Sequence, residues 1–205
     1  MGLFGGKSGS GGAQAKDAKS LRHSSGWAKL SSHLKSQEGL RILDIGPTSA
    51  GNINYITNLG HSVYMANLVE DAARPELVLE EGYDVEKFVK DCLDFQGRTF
   101  DVVALWDTAD YLPEPFLQPA IERLHKVMEP GGQLLAFFHS KKDGEDNAFS
   151  RYHLAENEQV RIQRIGGHPI KGIYTNRQVE GLFSEFAAYK FFLAKDSLRE
   201  VLVTR

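Results

Sequence analysis

From residue 100 to residue 106 the chain reads Phe-Asp-Val-Val-Ala-Leu-Trp, a run so nearly free of polar side chains that it has no face to show to water. Such a strand belongs in the middle of a sheet covered on both sides, because a half-exposed strand alternates apolar with polar residues. The next segment narrows the choice. Leu117, Ala120, Ile121, Leu124, Val127 and Met128 recur at helical spacing, Pro130-Gly131-Gly132 ends that helix, and Gln133 to Phe138 reads as another apolar strand.

The same alternation runs upstream. Gly26 to Ser36 carries Trp27, Leu30 and Leu34 on one helical face and leads into a strand starting at Leu40, whose body is Ile42, Leu43 and Ile45. Ile53, Ile56 and Leu59 mark a helix that Gly60 closes, and His61 to Ala66 is a second strand. Acids and Pro75 interrupt the pattern between Asn67 and Gly82, after which Val85, Phe88 and Val89 share a helical face. Beyond Phe138 come a polar segment, Lys141 to Asn147, a short strand, Val160 to Ile165, and a helix from near Thr175 carrying Val179, Leu182 and Phe183. Two strands close the chain, Ala187 to Leu193 and Leu198 to Thr204, joined by Lys195-Asp196-Ser197. So short a connection makes them antiparallel, since a parallel crossover needs about a dozen residues. The expected fold is therefore α/β and doubly wound, a mostly parallel sheet with helices on both faces and an antiparallel hairpin at its C-terminal end.

Composition limits what such a fold can serve. With 205 residues, 41% of them hydrophobic, the chain can bury one full core, and residues 23 to 205 are expected to form a single domain. Residues 1 to 22, rich in glycine and serine, read as a disordered tail. Met1-Gly2 resembles a lipidation start, but Gly6 stands where a Ser or Thr is needed, so no anchor is expected. A net charge of −3 and a pI near 6.2 argue against nucleic acid as a partner. A single cysteine, Cys92, excludes an internal disulfide, and no histidines are spaced as metal ligands, so no metal is expected. No run reaches the roughly 18 apolar residues of a membrane span. A reducing cytoplasm suits such a chain.

The segment Arg41-Ile-Leu-Asp-Ile-Gly-Pro-Thr-Ser-Ala-Gly-Asn52 marks the candidate site. A buried strand runs through Asp44 into a turn with Gly46 and Gly51, and the turn opens a helix. Free N–H groups at a helix N-terminus beside a carboxylate suit a polar or charged ligand. On these residues alone, Asp44 is equally a capping residue in any strand-to-helix connection.

Taken together, the strand ending Asp-x-Gly, Phe100-Asp-Val-Val103, the helix ending Arg123-Leu-His-Lys-Val-Met-Glu-Pro-Gly-Gly132 and the terminal hairpin resemble the class I S-adenosylmethionine-dependent methyltransferases. The resemblance extends over about residues 24 to 205. It implies a seven-stranded sheet, with one further strand between Asn67 and Phe95, and S-adenosylmethionine as cofactor. By position it implies that Asp44, Gly46, Pro47 and Gly51 meet the methionine end of the cofactor, that Asn67 stands in for the acid that usually grips the ribose, and that Asp91 and Cys92 flank the adenine. Asp107 would face the transferable methyl. The loop departs from the family's pattern of alternating glycines, since Pro47, Thr48, Ser49 and Ala50 intervene.

Simpler roles compete at each position: Asp107 as a helix cap, with Asp110 a rival for any active-site role, Asp91 on a solvated helix end, and Cys92, Trp106 and Tyr111 as core. His139 follows an apolar strand at the edge where open α/β sheets bind ligands, which makes it, with Tyr111, the candidate for contact with the acceptor. The implied activity is in-line methyl transfer to a small-molecule or protein acceptor, with the segment His139 to Tyr174, rich in Arg and Lys with Phe149, Tyr152 and Tyr174 interleaved, as the acceptor region. The alternatives are a catalytically silent binding or scaffold domain of the same fold, and a nicotinamide-dependent dehydrogenase, which the incomplete G-x-G-x-x-G pattern and the terminal hairpin disfavour.

Overall fold

A computed structural model describes residues 21–142, 148–192 and 196–205. The expected tail, most of the polar segment ending at Asn147, and part of the connection before Asp196 lie outside the described residues. In chain order the elements are β1 (Leu21–His23), α1 (Ser25–Ser36), β2 (Arg41–Ile45), α2 (Ala50–Asn58), β3 (Ser62–Ala66) and α3 (Leu68–Ala72). There follow a 3-10 turn (Pro75–Leu77), β4 (Val78–Leu79), β5 (Gly82–Tyr83), α4 (Val85–Cys92), β6 (Phe100–Trp106), α5 (Thr108–Tyr111) and α6 (Glu114–Val127). The chain closes with β7 (Met128–His139), β8 (Ser150–Leu154), β9 (Gln159–Arg164), α7 (Asn176–Leu182), β10 (Ala188–Phe192) and β11 (Leu198–Thr204).

The main sheet has six strands in the order β10-β11-β7-β6-β2-β3. The pairs among β3, β2, β6 and β7 are parallel, and β11 is antiparallel to both β7 and β10, as the short terminal connection requires. The seventh strand expected between Asn67 and Phe95 is not there. Val85, Phe88, Val89 and Cys92 follow a helical period, Asp84 caps the turn by accepting from the Lys87 N–H at 2.9 Å, and the segment folds as α4. Its strand-like remainder, β4 and β5, is a two-residue hairpin outside the main sheet. Other boundaries move slightly: Met128 starts β7 rather than ending a helix, and Leu21 and Arg22, expected in the tail, pair with Arg161 and Val160 in β1.

Alternation along the central strands sends residues to two cores. Leu43, Ile45, Val103, Leu105, Leu134, Ala136 and Phe138 join α4, α6 and α7, where Phe88 stacks on Phe116 at 4.1 Å. Ile42, Val102, Ala104, Trp106, Leu135 and Phe137 face the other way, against Trp27, Leu30 and Leu34 of α1 and Ile56 of α2. On that second face lies a separate antiparallel sheet, β1-β9-β8, which adds Tyr152 and Val160 to the core.

Two polar anchors tie this face together. His61 is buried; its Nδ1 accepts from the Leu40 N–H at 3.2 Å while Nε2 lies 2.9 Å from the Leu34 carbonyl. Glu200 on β11, also buried, accepts from Arg22 (2.5 Å), the Ser24 hydroxyl (3.0 Å) and the Gly26 N–H (2.6 Å), joining the small sheet to the large one. Gly26 has to be glycine: a Cβ there would stand 2.5 Å from Leu135 and 2.9 Å from Glu200.

Candidate active site at the carboxyl edge of the sheet

The parallel strands β2, β6 and β7 deliver Asp44, Asp107 and His139 toward one edge of the sheet. Asp44 is buried and is not the cap of α2. That role belongs to Ser49, whose hydroxyl accepts from the Asn52 N–H at 3.2 Å. The Asp44 carboxylate accepts from the Thr48 hydroxyl, from the Trp106 indole N–H at 2.7 Å and from the Asn52 amide at 3.4 Å. Burial pushes its pKa up, against the opposing effect of these three donors. The residues that replace the expected glycines therefore have definite work: Thr48 holds Asp44, Ser49 starts the helix, and the Pro47 carbonyl accepts from Arg151 at 3.0 Å. Gly46, at φ +142°, keeps the backbone conformation that glycine permits.

Trp106 ends β6 with φ +49°, a left-handed conformation rare for a bulky residue. Its indole N–H bonds Asp44, and its ring stacks on Tyr152 with centroids 5.1 Å apart and planes within 5°. Tyr152 donates to Asp107 at 2.7 Å, so Asp107 is not a side-chain cap for α5. Complete burial raises the Asp107 carboxyl to about 7, overcoming the Tyr152 hydrogen bond and the nearby His139. A chain of contacts thus runs Thr48, Asp44, Trp106, Tyr152, Asp107.

His139 and Asp110 form a second buried pair. Asp110 accepts from both the His139 backbone N–H (2.6 Å) and Nδ1 (2.8 Å), and burial raises the Asp110 pKa. Tyr111 is core: its ring meets Phe149 at 5.1 Å and the His139 ring edge-on at 6.0 Å.

The remaining candidates divide. Gly51 lies in the first turn of α2, where a Cβ would contact only the Ser49 hydroxyl, at 3.6 Å. Asn67 follows β3 at the same edge, and its Oδ1 is a buried acceptor with no hydrogen-bond partner among the described residues. Asp91 and Cys92 are not joined to the Trp106–Tyr152 cluster by any described hydrogen bond, ion pair or ring contact. Asp91 pairs with Lys87 at 2.8 Å on the surface of α4, and the Cys92 sulfur lies 2.7 Å from Arg74, with burial pushing the thiol pKa up. Thr48 and Asn52 were not singled out from sequence, where Tyr152 counts only among the aromatics of the expected acceptor region. Among the described residues no group of three or more His, Cys, Asp and Glu side chains is arranged to hold a metal, and no helix is long and apolar enough to cross a membrane.

No protein-family model and no curated protein sequence matches the chain. Solved structures do. An S-adenosylmethionine-dependent methyltransferase from Methanosarcina mazei aligns with a TM-score of 0.50 at 15% identity, covering 84% of this chain and 95% of its own. The fold is that of the class I methyltransferases. A Pyrococcus horikoshii protein aligns with a TM-score of 0.53, also at 15% identity, over 94% of this chain and 92% of its own.

Whether the edge suits the cofactor of that fold can be judged at its two ends. At one, after β3, the Asn67 Oδ1 is a buried acceptor without a partner among the described residues, a chemistry that suits a hydroxyl. At the other, beside Asp44, the space bounded by Gly46, Pro47, Thr48, Trp106, Asp107 and Tyr152 is too tight for a water molecule. A wider groove of about 430 Å³ between α4 and α6 contains none of these residues.

Proposed function

We propose that this protein transfers a methyl group from S-adenosylmethionine to a small-molecule or protein acceptor by in-line displacement. One observation carries the reading beyond the fold: the buried, unpartnered oxygen of Asn67 beside the Gly46 turn, an acceptor with a ligand hydroxyl still to bind. The bound cofactor supplies an activated methyl on a sulfonium, so the protein's work is alignment, desolvation and handling of the acceptor's proton.

The residues divide that work. Asn67 accepts from the ribose, and Gly46, Pro47 and Gly51 shape the turn under the methionine end. Asp44 acts from behind the turn, fixing it through Thr48 and Asn52. Asp107, held neutral up to about pH 7 by burial, gives the reacting end a hydrogen-bonding group without a fixed negative charge. His139, oriented by Asp110, is assigned to the acceptor side. The single thiol suits a reducing, cytoplasmic compartment.

Calorimetric titration of the full chain with S-adenosylhomocysteine tests the reading. Wild type is expected to bind, and Asn67→Ala to bind roughly tenfold more weakly, the effect of one hydrogen bond. No binding to the folded wild-type protein would overturn it.

A further inference from the structure

The polar groups of the turn after β2 are largely taken up by one strand. From β8, Arg151 donates to the Pro47 carbonyl at 3.0 Å, and His153 Nδ1 lies 3.1 Å from the Ser49 hydroxyl. The Asn52 amide donates to the Tyr152 carbonyl at 2.8 Å, and the Asn52 oxygen accepts from the Leu154 N–H at 2.9 Å. Between these, the Tyr152 ring lies flat on Trp106 with its hydroxyl on Asp107. The consequence is a space too tight even for a water molecule, whereas pockets for small organic ligands run to roughly 300–1,000 Å³.

The strand responsible meets the turn through side chains rather than a backbone ladder, while the far edge of its sheet is tied to the main sheet through Arg22 and Glu200. Among the described residues β8 pairs with β9 and β9 with β1, and none of the three shares a ladder with the main sheet. The turn between β8 and β9 carries Asn157 and Glu158, both at left-handed φ, 56° and 61°. β8 is held down by side-chain hydrogen bonds, by the Tyr152 ring against Trp106 and Phe137, and by burial of Tyr152 in the core of this face; the hydrogen bonds are ones that water and a ligand can replace.

We infer that the β8–β9 hairpin is a plug: Tyr152 occupies the methionine end of the cofactor site, and the hairpin must withdraw before a cofactor enters. This inference rests on the cofactor reading above and adds a coupling to it. A site that is open only part of the time binds with an affinity reduced by its open fraction. Hairpin displacement and cofactor binding are then two sides of one equilibrium. The competing arrangement, in which Tyr152 is a fixed wall and the cofactor enters beside it, makes the opposite prediction.

Titration with S-adenosylhomocysteine of wild type, Tyr152→Phe and Tyr152→Ala separates the two. The plug predicts that Tyr152→Ala binds about tenfold tighter than wild type, as expected if the open form is roughly a tenth of the population, with Tyr152→Phe in between. If wild type binds and Tyr152→Ala binds equally or more weakly, the plug is wrong and the cofactor reading stands. If no folded form binds, both fall. Hydrogen exchange on the wild-type chain needs no variant: saturating S-adenosylhomocysteine should speed exchange of the amides of Arg151 to Leu154, and unchanged or slower exchange there overturns the plug.

Discussion

Replacing Glu200 by alanine should cost far more than its single side chain suggests. The carboxylate is 2% exposed and collects three donors: Arg22 at 2.5 Å, Ser24 at 3.0 Å and the Gly26 backbone N–H at 2.6 Å. Alanine leaves the Gly26 N–H buried without an acceptor, about 1–3 kcal/mol, and removes one partner of a buried ion pair, for which about 3–5 kcal/mol is usual. Arg22 keeps Asp196, which it meets at 2.7 and 3.0 Å, so the two costs do not simply add. The expected loss is about 3–5 kcal/mol, a large part of a typical domain's stability, and on the order of 10 °C in Tm for a domain of this size. Urea denaturation followed by circular dichroism measures it, with Glu200→Gln as a control that keeps an acceptor and should recover roughly half. Hydrogen exchange of Leu21 to His23 reads the anchor directly, because β1 hangs on Arg22. Glu200→Ala within about 1 kcal/mol of wild type, or unchanged exchange in β1, would refute the assignment of Glu200 as the bolt between the two sheets.

Further outcomes follow from the same contacts. Asp107 has a folded-state pKa of about 7 against an ordinary 3.8, so its contribution to stability is full below pH 3.8 and is lost as the pH rises through about 7. Asp107→Asn should therefore flatten the fall in urea midpoint between pH 5 and 8, and an unchanged slope would count against a buried, neutral Asp107. Phe88→Ala, which empties a fully buried site stacked on Phe116, should cost about 3–5 kcal/mol by the same denaturation assay; a loss under about 1 kcal/mol would mean α4 is not docked as described. Trp106→Phe keeps the ring over Tyr152 but deletes the indole N–H bond to Asp44, and should destabilise by about 1.5–3 kcal/mol because the acceptor is a buried carboxylate. An Asp44→Asn, Trp106→Phe double-mutant cycle that shows no coupling between the two residues would reject that bond.

Much of this architecture is legible along the chain because its signals are local. Phe100 to Trp106 is apolar on both faces and proves to be a central strand, and the short link before Leu198 forces the antiparallel β10–β11 pair. The seventh strand failed for an equally local reason. Family resemblance asks for a strand before Phe95, but Val85, Phe88, Val89 and Cys92 keep a helical period, and the period prevails. The candidate site is only half legible. Asp44, Gly46 and Asp107 sit at strand ends that any reader of periodicity can locate. Tyr152 lies 45 residues from Asp107 in sequence, on a short strand of a second sheet, and nothing in its neighbourhood announces that its hydroxyl closes on that carboxyl. Thr48 had a usable signal, a hydroxyl four residues after a buried acid, in the very positions that look like a defect when glycines are expected.

The missing strand leaves β3 with one neighbour. Its parallel ladder to β2 runs through Ser62, Tyr64 and Ala66, with the Ser62 N–H on Leu40 and the Ala66 carbonyl taking the Gly46 N–H, so the backbone groups of Val63 and Met65 point away from the sheet. Alternate amides along a single strand should therefore exchange with water at very different rates. Asn67 ends that strand. The group proposed to take hold of the ribose is thus suspended from an open edge of the main sheet, and its grip will register anything that pairs with, or frays, that edge.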